Sequence, residues 1–138
     1  RKHFRAAQQY YRKVIDLCPP SALTDLGPIH GQLGNLYSDI GQTELSRAHY
    51  EKTAQYSEQT GNYYNAGGTR FNMALMYIKA AEQESTPFRH PDLLHRAQAY
   101  AQAALRDYQH YQGRIAKDEA DAQQLIARIV QAIAKLPT

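Results

Sequence analysis

The sequence predicts an all-α fold of antiparallel helical hairpins, about six helices in 138 residues. Three observations carry this. Ala, Leu, Gln, Arg and Tyr recur at spacings of three and four, the helical period. No convincing run alternates with period two, as a half-buried strand would. Gly and Pro gather in clusters and so punctuate the chain instead of interrupting it.

The punctuation sets the elements in order. Helices are expected over about residues 3–17, closed by Pro19 and Pro20; about 22–40, closed by Gly41; and about 43–60, closed by Gly61. They continue over about 63–81, about 91–112, closed by Gly113, and about 115–136, closed by Pro137. Short connections imply antiparallel neighbours. The exception is a polar stretch around Pro87, which reads as a surface loop over 82–92 before Pro91 opens the next helix. Asp92 then falls in a first turn, where the helix dipole favours it.

Composition narrows the function classes. Cys18 is the single cysteine, so no disulfide framework forms within the chain. No apolar run approaches the roughly 20 residues that cross a bilayer. Together these favour a soluble, reducing compartment, and a cytoplasmic location is expected. The 16 Lys and Arg exceed the 13 Asp and Glu by only three charges. That excess is spread along the chain, densest at Arg1, Lys2, Arg5, Arg12 and Lys13, and reads as solubility. The absence of an initial Met and of a leader pattern suggests a segment of a longer polypeptide.

Two segments repeat. Leu33-Gly34-Asn35-Leu36-Tyr37 aligns with Met73-Ala74-Leu75-Met76-Tyr77, a step of 40 residues. A small residue one turn from a large one lets a paired helix approach, and the Tyr fills the gap beyond it. A second helix follows each, with Ser46, Tyr50 and Thr53 in one and Ala97, Ala101 and Ala104 in the other, Tyr100 beside them. The register resumes after an insertion of about 11 residues.

At these residues the chain resembles the tetratricopeptide repeat family, in its long-repeat form of about 40 residues. Leu33, Gly34, Tyr37, Gly41, Ser46, Tyr50 and Thr53 follow the family pattern in one repeat; Met73, Ala74, Tyr77, Ala97, Ala101 and Ala104 follow it in the other. The resemblance implies one repeat domain over 1–138, stacked as a right-handed superhelix. Residues 1–20 stand for the second helix of a truncated repeat, 22–61 and 63–112 for two repeats, and 115–136 for a capping helix. His30 and Arg70 occupy the family's Trp position, so these helix starts are expected to be partly solvated. The family implies a non-catalytic scaffold that binds a protein or peptide in a concave groove lined by the first helices. The matching positions are Asn35, Ser38 and Asp39, then Phe71, Asn72, Leu75, Ile78 and Lys79, with Gly31 and Gly68 beside them. Amides there would bond a peptide backbone, and Phe71, Leu75 and Ile78 would take its apolar side chains.

Other chemistries are weaker. The carboxylate clamp of chaperone-binding relatives needs cations where Gly31 and Gly68 stand. His90 and His95 are five apart and lack the spacing that puts two zinc ligands on one helix face, so no metal is expected. Cys18, followed by two prolines, reads as a buried thiol and not a nucleophile. Gly67-Gly68-Thr69-Arg70 lacks the Lys and the preceding strand of a phosphate loop, and reads as a place where backbones approach closely. No enzyme activity and no cofactor are expected. Of the 11 Tyr, Tyr11, Tyr37, Tyr50, Tyr77 and Tyr100 fall on repeat positions that packing explains, and no nucleic acid is expected either. Phe88 and Arg89 on the inserted loop offer a second contact surface. Two alternatives stay open: a regulatory or sensor segment of a bacterial signalling ATPase or peptide-responsive regulator, and an array that self-associates through its truncated N-terminal edge.

Overall fold

A computed structural model describes residues 2–18, 23–84 and 90–136. Pro19, Pro20, Pro87, Phe88, Arg89 and Pro137 lie outside these residues, and with them the expectations placed there. The described residues form six helices and no strand: α1 Lys2–Leu17, α2 Leu23–Asp39, α3 Thr43–Gln59, α4 Tyr63–Gln83, α5 His90–Gln109 and α6 Ala116–Ala134. Contacts divide the chain into two compact units, Arg1–Ala66 and Gly67–Thr138.

In the first unit α2 and α3 form a hairpin. Gly41 ends α2 with φ of +78°, a left-handed conformation that glycine adopts without a Cβ penalty. Its N–H bonds the Ser38 carbonyl at 3.1 Å and the next N–H, of Gln42, reaches back to Tyr37 at 2.8 Å. This pair of bonds is the Schellman arrangement. Gly61 closes α3 the same way, with Asn62 N–H on the Ser57 carbonyl at 2.7 Å. Partner numbers fall along α3 as they rise along α2: Gly27 faces Tyr56, Gly31 faces Thr53, and Gly34 faces Tyr50. The two helices are therefore antiparallel. Pro28 lies inside α2, where it removes one helix donor.

Small residues at this interface set the helix separation. A Cβ on Gly34 would stand 2.6 Å from Tyr50 Cδ1, so the Tyr50 ring occupies the space a side chain would take. Ser46 and Thr53 donate their hydroxyls to the carbonyls of Gly34 at 2.7 Å and Gly27 at 2.8 Å. These buried hydroxyls are thus satisfied by the facing backbone, which removes the penalty of burying them. α1 packs on α2 through Tyr37. Phe4 meets its ring edge-on at 5.8 Å, and Gln8 and Arg12 donate to its hydroxyl at 2.5 and 3.1 Å.

The second unit pairs α4 with α5 and lays α6 against both. A Cβ on Gly67 would come within 2.6 Å of Tyr108 Cε1. The close approach expected at Gly67-Gly68 is therefore of an aromatic ring to a backbone, and Gly67 is the residue that permits it. Arg70 Nη1 donates to Asp107 Oδ2 at 2.7 Å, and the Tyr77 and Tyr100 rings stack at 5.7 Å. Ala97, Ala101, Ala104 and Ala122 are fully buried, which lets α5 sit close to its neighbours. Phe71, Leu105 and Ile115 pack on the cluster of Ala104, Tyr108 and Ala122. α5 stops at Gln109, three residues short of the expected end. Gln112 and Gly113 both carry positive φ, +53° and +84°, and no α-helix runs through two such residues. α4 extends to Gln83 and α5 starts at His90, so both helices take residues from the expected loop.

The contacts within the two units share a register. Tyr37 stacks on His49 at 5.5 Å with the ring planes 10° apart; Tyr77 stacks on Tyr100 at 5.7 Å with planes 9° apart. His30 contacts Tyr56, and at the matching positions Arg70 bonds Asp107. First-helix partners differ by 40 positions and second-helix partners by 51, so the expected insertion of 11 lies between the helices of the second hairpin.

The expectation of partial solvation fails at His30 and holds in part at Arg70. His30 is 8% exposed, sandwiched against His49 and Tyr56. The Arg70 side chain is 17% exposed and paired with an Asp107 that is 7% exposed. Aromatic contacts in one hairpin and an ion pair in the other occupy these matching positions.

Candidate functional site

The residues expected to bind a ligand fall into separate groups. In α2, Asn35 and Asp39 are exposed one turn apart, and Ser38 is half-buried. Asn35 has a structural task, because its Oδ1 accepts the Tyr50 hydroxyl in a short hydrogen bond that holds the ring over Gly34. Burial of this phenol, with the Asp39 carboxylate nearby, raises the Tyr50 pKa and keeps the hydroxyl protonated as the donor.

In α4, Asn72, Leu75 and Lys79 are exposed at spacings of three and four, hence on one stripe. Leu75 is 38% exposed. Two residues expected to share that surface do not. Phe71 is half-buried against the Ala104, Tyr108 and Ala122 cluster, and Ile78 is 7% exposed. The physical reason is α6: its buried Ala122 and Ile129 draw the Phe71 and Ile78 side of α4 into the core, leaving Asn72, Leu75 and Lys79 outside.

Ile78 instead lines a cleft of about 250 Å³ with Leu94 of α5 and Ile129 of α6. At its mouth Arg128 Nη2 donates to Glu82 Oε1 at 3.3 Å, and His90 Nε2–H donates to the Glu84 carbonyl at 2.6 Å. Leu125, Ile129 and Ile133 recur at helical spacing in α6, but that spacing gives no signal that their side stops short of filling the space beside Ile78.

No family model, curated protein or solved structure matches the chain.

A second polar cluster lies inside the first unit. His30 Nδ1 and His49 Nδ1 are 2.9 Å apart, so one must donate and the other accept. Burial first, then His49 and Lys52, lower the His30 pKa from 6.5 to about 4. Burial and then Arg12 lower that of His49. Both rings are therefore neutral near pH 7, which suits a shared hydrogen bond. Among the described residues no group of three His, Cys, Asp or Glu is placed to hold a metal; His90 is bonded to the Glu84 carbonyl and His95 is exposed. Cys18 is a free, half-buried thiol. No described helix is long and apolar enough to cross a membrane.

Proposed function

We propose that this chain is a non-catalytic scaffold segment of a cytoplasmic protein, a tetratricopeptide-like array that binds a protein or peptide partner through its first helices. The observation that carries the reading is the α4 stripe. Leu75 stands exposed between an amide, Asn72, and a cation, Lys79, on a helix whose other faces are packed. An apolar anchor flanked by a backbone-bonding amide and a charge suits a peptide with an apolar side chain followed by an acidic one. Because the helix is ordered by its own hairpin, binding costs little further ordering entropy.

The test is affinity capture with the whole chain, followed by fluorescence anisotropy with peptides of the recovered partner. The Asn72→Ala/Leu75→Ala double variant is expected to weaken binding by at least about tenfold, two truncated contacts of about 1 kcal/mol or more each, with helicity unchanged. Undiminished binding refutes the stripe. Self-association is the second reading, favoured by Tyr10 and Leu17 of α1, which are 63% and 76% exposed. Concentration-dependent sedimentation that Leu17→Glu abolishes would support it.

A further inference from the structure

We propose that the cleft between α4, α5 and α6 binds a small organic acid, burying one ring or branched alkyl group and holding its carboxylate on Arg128. Ile78 and Ala81 come from α4, Leu94 from α5, and Ile129 and Ala132 from α6, so three helices supply apolar walls. The volume, about 250 Å³, exceeds the roughly 150 Å³ at which an apolar protein cavity accepts benzene. A body of one ring fits, with room left toward the mouth.

The mouth selects the charge. Arg128 meets Glu82 through one nitrogen at 3.3 Å, longer than the 2.7–2.9 Å of a good charge-assisted bond. Their side chains are 60% and 64% exposed, so water competes strongly for both. An incoming carboxylate can take the guanidinium fork with two parallel bonds that Glu82 does not make here. His90, the first residue of α5, also lines the cleft, which brings the positive end of the helix dipole to the mouth. An anion thus meets two favourable features and one opposing carboxylate. A cation meets the reverse.

The site shares no residue with the Asn72, Leu75 and Lys79 stripe, so either can fail without the other. This chemistry has two sources, a free acid or the C-terminal residue of a peptide. The experiment is an NMR titration of the whole chain with 3-phenylpropanoate, 3-phenylpropan-1-ol and N-acetylphenylalanine. The acid is expected to shift the amide signals of Leu94, Arg128 and Ile129 and to bind more tightly than the alcohol. Arg128→Gln should weaken the acid roughly tenfold without affecting the alcohol, and Glu82→Gln should tighten it by about twofold or more. Both substitutions lie at exposed side chains, and circular dichroism checks that the helices persist. Binding of N-acetylphenylalanine comparable to that of the simple acid assigns the site to a peptide terminus; binding of the simple acid alone assigns it to a free acid. Equal affinity for acid and alcohol, no shift at the cleft amides at several millimolar, or indifference to Arg128→Gln overturns the proposal.

Discussion

Adding one methyl group to α2 should stabilise or destabilise the first unit depending on which glycine receives it. Gly to Ala inside a helix is worth about 1 kcal/mol in favour of the folded state, because the glycine chain loses more freedom on folding. At Gly31 the new Cβ would lie 3.5 Å from Thr53 Oγ1 and 3.7 Å from Thr53 Cγ2, ordinary contact, so the gain survives. At Gly34 it would lie 2.6 and 2.7 Å from Tyr50 Cδ1 and Cε1. The ring has little room to retreat, being 6% exposed and tethered to Asn35 through its hydroxyl. Overpacking costs about 1–3 kcal/mol, and losing the tether adds about 1 kcal/mol. Against a propensity gain of about 1 kcal/mol, Gly34→Ala comes out destabilising by about 1–3 kcal/mol and Gly31→Ala stabilising by up to about 1. Urea melts followed by circular dichroism measure both, with the wild-type m-value as the check that the transition is unchanged. Gly34→Leu enlarges the loss. If Gly34→Ala melts at or above the wild-type midpoint, or if the two alanines act alike, the hairpin interface has been misassigned.

Acid should weaken the first unit through His30. Its folded pKa, about 4, lies below the ordinary 6.5, so the unfolded chain binds the extra proton and stability falls as pH drops from about 6.5 to about 4. The loss approaches 3 kcal/mol at the lower end, about 1.4 kcal/mol per pH unit. Urea midpoints from pH 7.5 to 4 should decline in the wild type and decline less in His30→Phe, which keeps a ring against His49 and Tyr56; identical slopes refute the assignment. In the second unit, Arg70→Ala removes the cation bonded to the buried Asp107 carboxylate and should cost about 3 kcal/mol, whereas Arg70→Met with Asp107→Leu should recover much of that. Thermal melts compare the two, and a double variant no better than the single one would show that the carboxylate was not the liability.

Legibility followed locality. Gly41 and Gly61 stop helices through bonds to residues three to five positions back, and that chemistry is written in the adjacent sequence. The repeat was legible for a related reason: Ser46, Tyr50 and Thr53 are buried, as are Ala97, Ala101 and Ala104, because small residues at helical spacing mark the face on which a paired helix approaches. The burial of His30 was harder to see. A histidine is seldom fully buried, and only the placement of α3, which brings His49 and Tyr56 over it, reverses that. The end of α5 was missed because Gln112 carries no mark of the left-handed turn it adopts ahead of Gly113.

The candidate site shows the same division more sharply. Asn72, Leu75 and Lys79, named as groove positions by the resemblance, are exposed, and their spacings of three and four put them on one stripe. Phe71 and Ile78 each precede a stripe residue by one position and so share a neighbouring side of α4, and their fate depended on a helix 40 to 60 residues later. α6 buries Ile129 beside Ile78 but presents Ala132 where a larger side chain would have completed the packing. The cleft is thus the remainder of an imperfect fit between elements distant in sequence, and no reading of α4 by itself exposes it. A helix whose only task was to cover α4 and α5 would gain about 0.8 kcal/mol for each further methylene buried there. Leaving that space open with an arginine at its mouth forgoes stability, which is the trade expected where a side chain's place is kept for a guest.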